Sequence, residues 1–218
     1  MKIFNIDGPL YRFLEKIGNL IILNLLLVVC SLPIVTIGPA LTATYYVCLK
    51  MLRDEETGII KSFFHSFKMN FKQGLILGVC VTVLAVLLML DIHVLTYLIG
   101  IPEAIAKVLL VITCLLLLVL FIISLYLFAI LAQFDSTTPN LLRWSAALAI
   151  SHFPVTLVSA LIAASPILIL YFFVDIFVQF GIPIMMLLGF SGVVFLQSYF
   201  YVKVFDHYIP KEDTDEDK

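Results

Sequence analysis

Residues 24–43 read NLLLVVCSLPIVTIGPALTA. The run is apolar on both sides, but Pro33, Gly38 and Pro39 fall within its middle. Proline removes a backbone donor and clashes with the preceding turn, so Pro33–Pro39 cannot sit inside one continuous helix. The first arm, Asn19 to Ser31, extends backward through Leu10 to reach spanning length. The second arm, Pro39 to Leu52, covers about 21 Å at the helical rise, short of a bilayer core of about 30 Å. Pro39 suits the first turn of that second helix.

Outward from this break the whole chain is apolar. Of its 218 residues 62% are hydrophobic and 13% are charged, against about 25% charged in soluble domains. A compact soluble domain of this size cannot hide so much apolar surface. Soluble enzymes, nucleic-acid binders, disordered chains and secreted disulfide scaffolds are excluded as classes, leaving an all-α polytopic membrane bundle. Cys30, Cys48, Cys80 and Cys114 have no paired spacing and read as small apolar packing residues rather than a disulfide framework or zinc site. The Leu20–Cys30 run follows charges of both signs and lacks an A-x-A site, so it reads as a retained membrane segment rather than a cleaved signal peptide.

Before the break, Leu10, Phe13, Leu14 and Ile17 recur at helical spacing between Arg12, Glu15 and Lys16, predicting an interfacial helix that feeds the first arm. After it comes a polar turn at 53–58. Ile59, Ile60, Phe63, Phe64, Phe67 and Phe71 then alternate with Lys61, His65, Lys68 and Lys72. This basic amphipathic loop, 53–73, is expected to lie on the anionic cytoplasmic leaflet or against a partner. Spans are predicted at Gly74–Ile99, Glu103–Phe134, within Leu142–Val174 (with Pro154 and Pro166 inside) and Ile182–Val204, with Asp175–Gly181 as a brief connector that can itself be helical. Residues 1–210 read as one integral membrane domain and 211–218 as a disordered acidic tail.

Charge then chooses between two topologies. If Gly18–Lys50 crosses once, giving five spans, Lys2, Arg12, Lys16 and Lys107 share one side. If Pro33–Pro39 turns the chain back, only Lys107 of the thirteen Lys and Arg stands alone. The positive-inside rule favours the second arrangement, a broken hairpin followed by four spanning helices with both termini cytoplasmic.

Residues 24–43 resemble the signature of the YesL-like family of bacterial membrane proteins. Phe63-Phe64 and 67–73 (FKMNFKQ) resemble its second motif, and Ala146–Thr156, with His152, Pro154 and Thr156, a weaker third. Pro39 stands where small residues are also common in the family. The family is of unknown function. The resemblance implies a cytoplasmic-membrane protein, most often from Gram-positive bacteria, encoded beside carbohydrate-uptake transporters, sugar-specific regulators and polysaccharide-degrading enzymes. It supplies no catalytic residues.

Three sets of candidate residues follow. At the break, Asn24, Ser31, Pro33, Thr36, Gly38 and Pro39 can form a polar site, since broken helices expose backbone groups to solutes or ions in transporters; the plainer reading is a capped tight turn, with Asn24 bonding a neighbouring helix. Asp91, His93 and His152 are intramembrane polar residues, functional by default, although Asp91 falls near the external interface, where charge costs little. Phe63, Phe64, Phe67, Lys68, Phe71 and Lys72 are candidate membrane-surface or partner contacts. Gly74-x-x-x-Gly78 permits close helix packing. No Walker loop, G-x-S-x-G or H-E-x-x-H occurs, and no metal or cofactor is expected. The expected role is a non-enzymatic accessory or regulatory component bound to a carbohydrate ABC transporter or sensor subunit, with the lipid bilayer as the other partner and no nucleic acid. The alternative is a small solute transporter or channel that uses the break at Ser31–Pro39.

Overall fold

The fold is seen in a computed structural model that describes residues 9–55, 58–97 and 102–208. Residues 1–8 and the acidic tail at 211–218 lie outside the described residues. Among the described residues every regular element is helical, and six helical segments are long and apolar enough to cross a membrane. The protein is a multi-pass helical membrane bundle.

Helix α1 spans Pro9–Cys30. It ends where Pro33, without an N–H, cannot bond the Val29 carbonyl; Leu32 N takes that carbonyl instead, at 3.3 Å. A 3₁₀ turn, Ile34–Thr36, leads into α2, Ile37–Leu52, with Pro39 in its first turn. Lys16 Nζ lies 3.5 Å from Asp54 Oδ1, so the first half of α1 stands beside the end of α2. The chain has reversed, and the N-terminal segment is a hairpin rather than a single span.

Helix α2 is the centre of the bundle. More than half of its spanning window is buried, against 11–22% for the other five. It packs on α3 (Ile59–Met69), α4 (Phe71–Tyr97), α5 (Glu103–Gln133) and α10 (Phe190–Phe205). Its neighbours turn their outer faces to lipid, which explains why a helix of modest hydropathy holds the interior: it meets protein, not hydrocarbon.

Two predicted spans are corrected. Leu142–Val174 is not one helix but two, α6 (Thr138–Ser151) and α7 (Phe153–Phe172), broken at His152. Pro154 sits in the first turn of α7, where its missing donor costs little. Pro166 stays inside α7, and Ser165 Oγ donates to the Ile162 carbonyl that Pro166 leaves unpaired, at 2.8 Å. The final span is also longer than expected. A helical run continues from α8 (Val174–Ile176) through a π-helical turn at Phe177–Gly181, α9 (Ile182–Ile184) and a second π-helical turn at Met185–Gly189 into α10. Asp175–Gly181, expected as a connector that can itself be helical, is helical and continuous with the last span.

Polar side chains tie one end of the bundle together. Arg53 donates to Gln133 Oε1 and Asp206 Oδ1, each at 2.8 Å, joining the ends of α2, α5 and α10. Gln73 Nε2 donates to the Ser136 carbonyl at 2.8 Å, joining the start of α4 to the end of α5. Beyond this end α4 and α5 leave the core as a long antiparallel pair whose outer residues are nearly all exposed and apolar.

Candidate functional site

The expected break site is a closed turn. Thr36 Oγ1 lies 2.6 Å from the Cys30 carbonyl, which the end of α1 leaves unpaired, and 2.7 Å from that of Pro33, which also accepts from Thr36 N. Pro33 projects outward, and Ser31 Oγ is buried with no hydrogen bond among the described residues. Gly38 and Pro39 are buried against α4. A Cβ on Gly38 would stand 3.0 Å from the Gly78 Cα, and a Cβ on Gly74 would stand 3.1 Å from the Pro39 Cα. The small residues Gly74 and Gly78 thus pack against Gly38 and let the two backbones touch.

Asn24 does not belong to this turn. It is fully buried six residues before it and faces the last span. Its Nδ2 donates to the carbonyls of Met185 (3.2 Å) and Met186 (2.7 Å), and its Oδ1 accepts from Ser191 N at 2.9 Å. Ser191 Oγ in turn donates to the Leu20 carbonyl at 2.8 Å. Asn24 bridges α1 to the second π-helical turn, where displaced carbonyls need donors.

The three polar residues predicted within spans, Asp91, His93 and His152, stay apart. Asp91 accepts from Thr113 Oγ1 at 2.6 Å, a bond between α4 and α5, while its own side remains exposed. The His93 ring lies 4.9 Å from that of Tyr97 on the same helix. His152 sits at the α6–α7 break, with Nε2 3.3 Å from the Tyr208 hydroxyl.

The basic aromatic loop is a folded element. Ser62, Phe63 and Ser66 form the face of α3 that docks on α2, and Phe63 is 0% exposed. Phe63 is therefore a core residue and not a membrane or partner contact. Phe64 and Lys68 face outward and Phe67 is half-buried; Phe71 and Lys72 are already part of α4. Cys80 and Cys114 also differ from expectation, lying on exposed faces of α4 and α5, whereas Cys48 is buried.

A polar cluster that the sequence did not reveal occupies the middle of the bundle. Tyr45 of α2 donates its hydroxyl to Gln197 Oε1 of α10, and Gln197 Nε2 donates to the Ser159 carbonyl of α7 at 3.1 Å. Tyr126 of α5 and Thr156 of α7 share a hydroxyl bond of 3.0 Å, and Tyr201 of α10 donates to the Leu125 carbonyl at 3.3 Å. The Tyr126 and Tyr201 rings stand 4.8 Å apart. Ser198 Oγ, wholly buried, makes no hydrogen bond among the described residues. In sequence each of these side chains is an isolated polar residue on an apolar helix. The one sequence hint is Tyr45, which falls mid-way along α2 rather than at a span end, where tyrosines usually collect.

No curated protein and no solved structure matches the chain. Over residues 20–92, covering the second half of α1, α2, α3 and most of α4, the chain is similar to the family described as "Protein of unknown function, DUF624".

Proposed function

We propose that this chain is a non-enzymatic accessory or regulatory protein of the bacterial cytoplasmic membrane, acting by binding a membrane component of a carbohydrate-uptake system. The observation that carries the reading is the closure of the break. Thr36 binds the two carbonyls there, and Gly38 seals the turn against Gly74 and Gly78. A solute carrier built on that break would need those oxygens turned toward a passage. The YesL-like resemblance supplies the association with carbohydrate uptake.

Orientation follows from charge. Lys50, Arg53, Lys61, Lys68 and Lys72 belong to the tied end of the bundle, and Lys107 lies toward the far end of the α4–α5 pair. The positive-inside rule then puts the tied end, and both termini, in the cytoplasm. The outward residues of α3, including Phe64 and Lys68, give the partner or the lipid headgroups a basic aromatic surface there.

Purification of the tagged protein in mild detergent, from cells grown on a polysaccharide, should recover the membrane subunit of an ABC transporter or a sensor kinase. Recovery of the protein alone would remove the reading. A reporter active only outside the cytosol, fused to the N-terminus, should be silent; a signal would reverse the topology.

A second reading, a small carrier, draws on the buried Tyr45–Gln197–Tyr201 cluster in place of the break. Sugar flux into liposomes holding the purified protein would favour it over the accessory role.

A further inference from the structure

We infer that the turn between α1 and α2 ends inside the bilayer and presents Leu32, Pro33, Ile34 and Val35 to lipid acyl chains. Its position gives the first reason. Gly38, just after the turn, packs on Gly74 and Gly78, in the first two turns of α4, and Ile34–Thr36 lie beside the same helix. From Gly78, α4 runs on to Tyr97, about 28 Å at the helical rise. The turn therefore stops well short of the far end of the α4–α5 pair, the most apolar of the six candidate spans.

The chemistry of the turn gives the second reason. A turn in water is normally built from Gly, Asn, Asp and Ser, with backbone groups left to solvent. Here Leu32 is 75% exposed and Ile34 70%, with Val35 also exposed. From Gly18 to Leu49 the chain has no Asp, Glu, Lys or Arg. Such a patch has nothing to offer a headgroup, and its fitting partner is hydrocarbon.

Hydrogen bonding gives the third. In hydrocarbon an irregular backbone survives only if protein groups satisfy it. Ser31 N bonds the Leu27 carbonyl (2.9 Å), Thr36 N bonds that of Pro33 (2.8 Å), Pro33 has no N–H to pair, and Thr36 Oγ1 covers Cys30 and Pro33. The turn meets much of its own polar demand, as a lipid-facing turn must.

The test places a nitroxide at Ile34→Cys, Val35→Cys or Glu103→Cys, one at a time. The background has Cys30 and Cys48 changed to Ala and Cys80 and Cys114 changed to Ser, and the full chain is reconstituted in phosphatidylethanolamine–phosphatidylglycerol liposomes. Labels at 34 and 35 should collide often with oxygen and several-fold less with a water-soluble nickel chelate than the label at 103. Equal nickel access at 34 and 103 would overturn the inference, as would labels at 34 and 35 shielded from both reagents, which would mean protein covers the patch. In the otherwise native chain, Ile34→Lys should lower the thermal midpoint in the same liposomes, whereas Glu103→Lys should not. An unchanged midpoint for Ile34→Lys would also overturn it.

Discussion

Gly38 packs against Gly78 so closely that a methyl group on Gly38 would stand 3.0 Å from the Gly78 Cα. The Cβ is fixed by the backbone, and what it would meet, the Gly78 Cα and still more tightly the Gly74 carbonyl oxygen, is backbone too, so nothing can rotate away. Gly38→Ala should therefore force α2 off α4 and cost about 3 kcal/mol, the upper range for overpacking. Gly18 has nothing within 4 Å of a built Cβ, so Gly18→Ala should leave stability unchanged or raise it slightly. Thermal midpoints of the two variants in one detergent check the contrast.

Asn24 bonds three backbone groups of the last span, and no other side chain is seen to reach the Met185 and Met186 carbonyls among the described residues. Asn24→Leu keeps roughly the same volume but leaves buried groups unpaired. A loss of about 2 kcal/mol is expected, near the upper end for polar contacts between membrane helices. Amide exchange at Ser191, slow in the parent, should accelerate in the variant.

Thr36→Val should destabilise the hairpin by about 1–2 kcal/mol, because the isosteric side chain cannot donate to Cys30 and Pro33. Thr36→Ser keeps the hydroxyl and should recover most of the loss. Comparing proteolysis between α1 and α2 in the two variants separates loss of the bond from a change in packing.

Ser198 moves the other way. Its hydroxyl is wholly buried and makes no hydrogen bond among the described residues. Ser198→Ala removes an unpaired polar group, so the thermal midpoint should hold or rise. A clear fall would show that the hydroxyl has a partner in the membrane.

Arg53 joins three helix ends, with its own side chain 19% exposed and that of Asp206 51% exposed. Arg53→Gln should cost about 1 kcal/mol or less from the ion pair, since the partner is half in water, together with the bond to Gln133. The cost should shrink as salt is raised from low to high concentration, measured by thermal unfolding.

Much of the bundle was legible because lipid imposes a simple rule on sequence. A helix that meets hydrocarbon must be apolar on its outer face, so Gly74–Ile99 and Glu103–Phe134 announced themselves, and Pro33 with Pro39 marked the reversal. The break at His152 was less visible, because Pro154 also fits inside a long apolar run, as Pro166 does when Ser165 takes up the freed carbonyl. Phe63 was misplaced for a related reason. The alternation of Phe and Lys in α3 marks a two-faced helix, but it does not say whether the apolar face meets lipid or α2.

By itself, then, the sequence determined the environment, the helical class and the reversal at residues 31–39, because hydropathy and proline act locally along the chain. Tertiary structure alone decided that α2 is the buried centre, that Asn24 serves the last span rather than the break, and that Tyr45, Tyr126, Gln197 and Tyr201 meet. Those partners lie far apart in sequence. Inside a membrane nearly every helix is apolar all round, so the periodicity that tells inside from outside in a soluble protein is lost, and only packing assigns each polar side chain its partner.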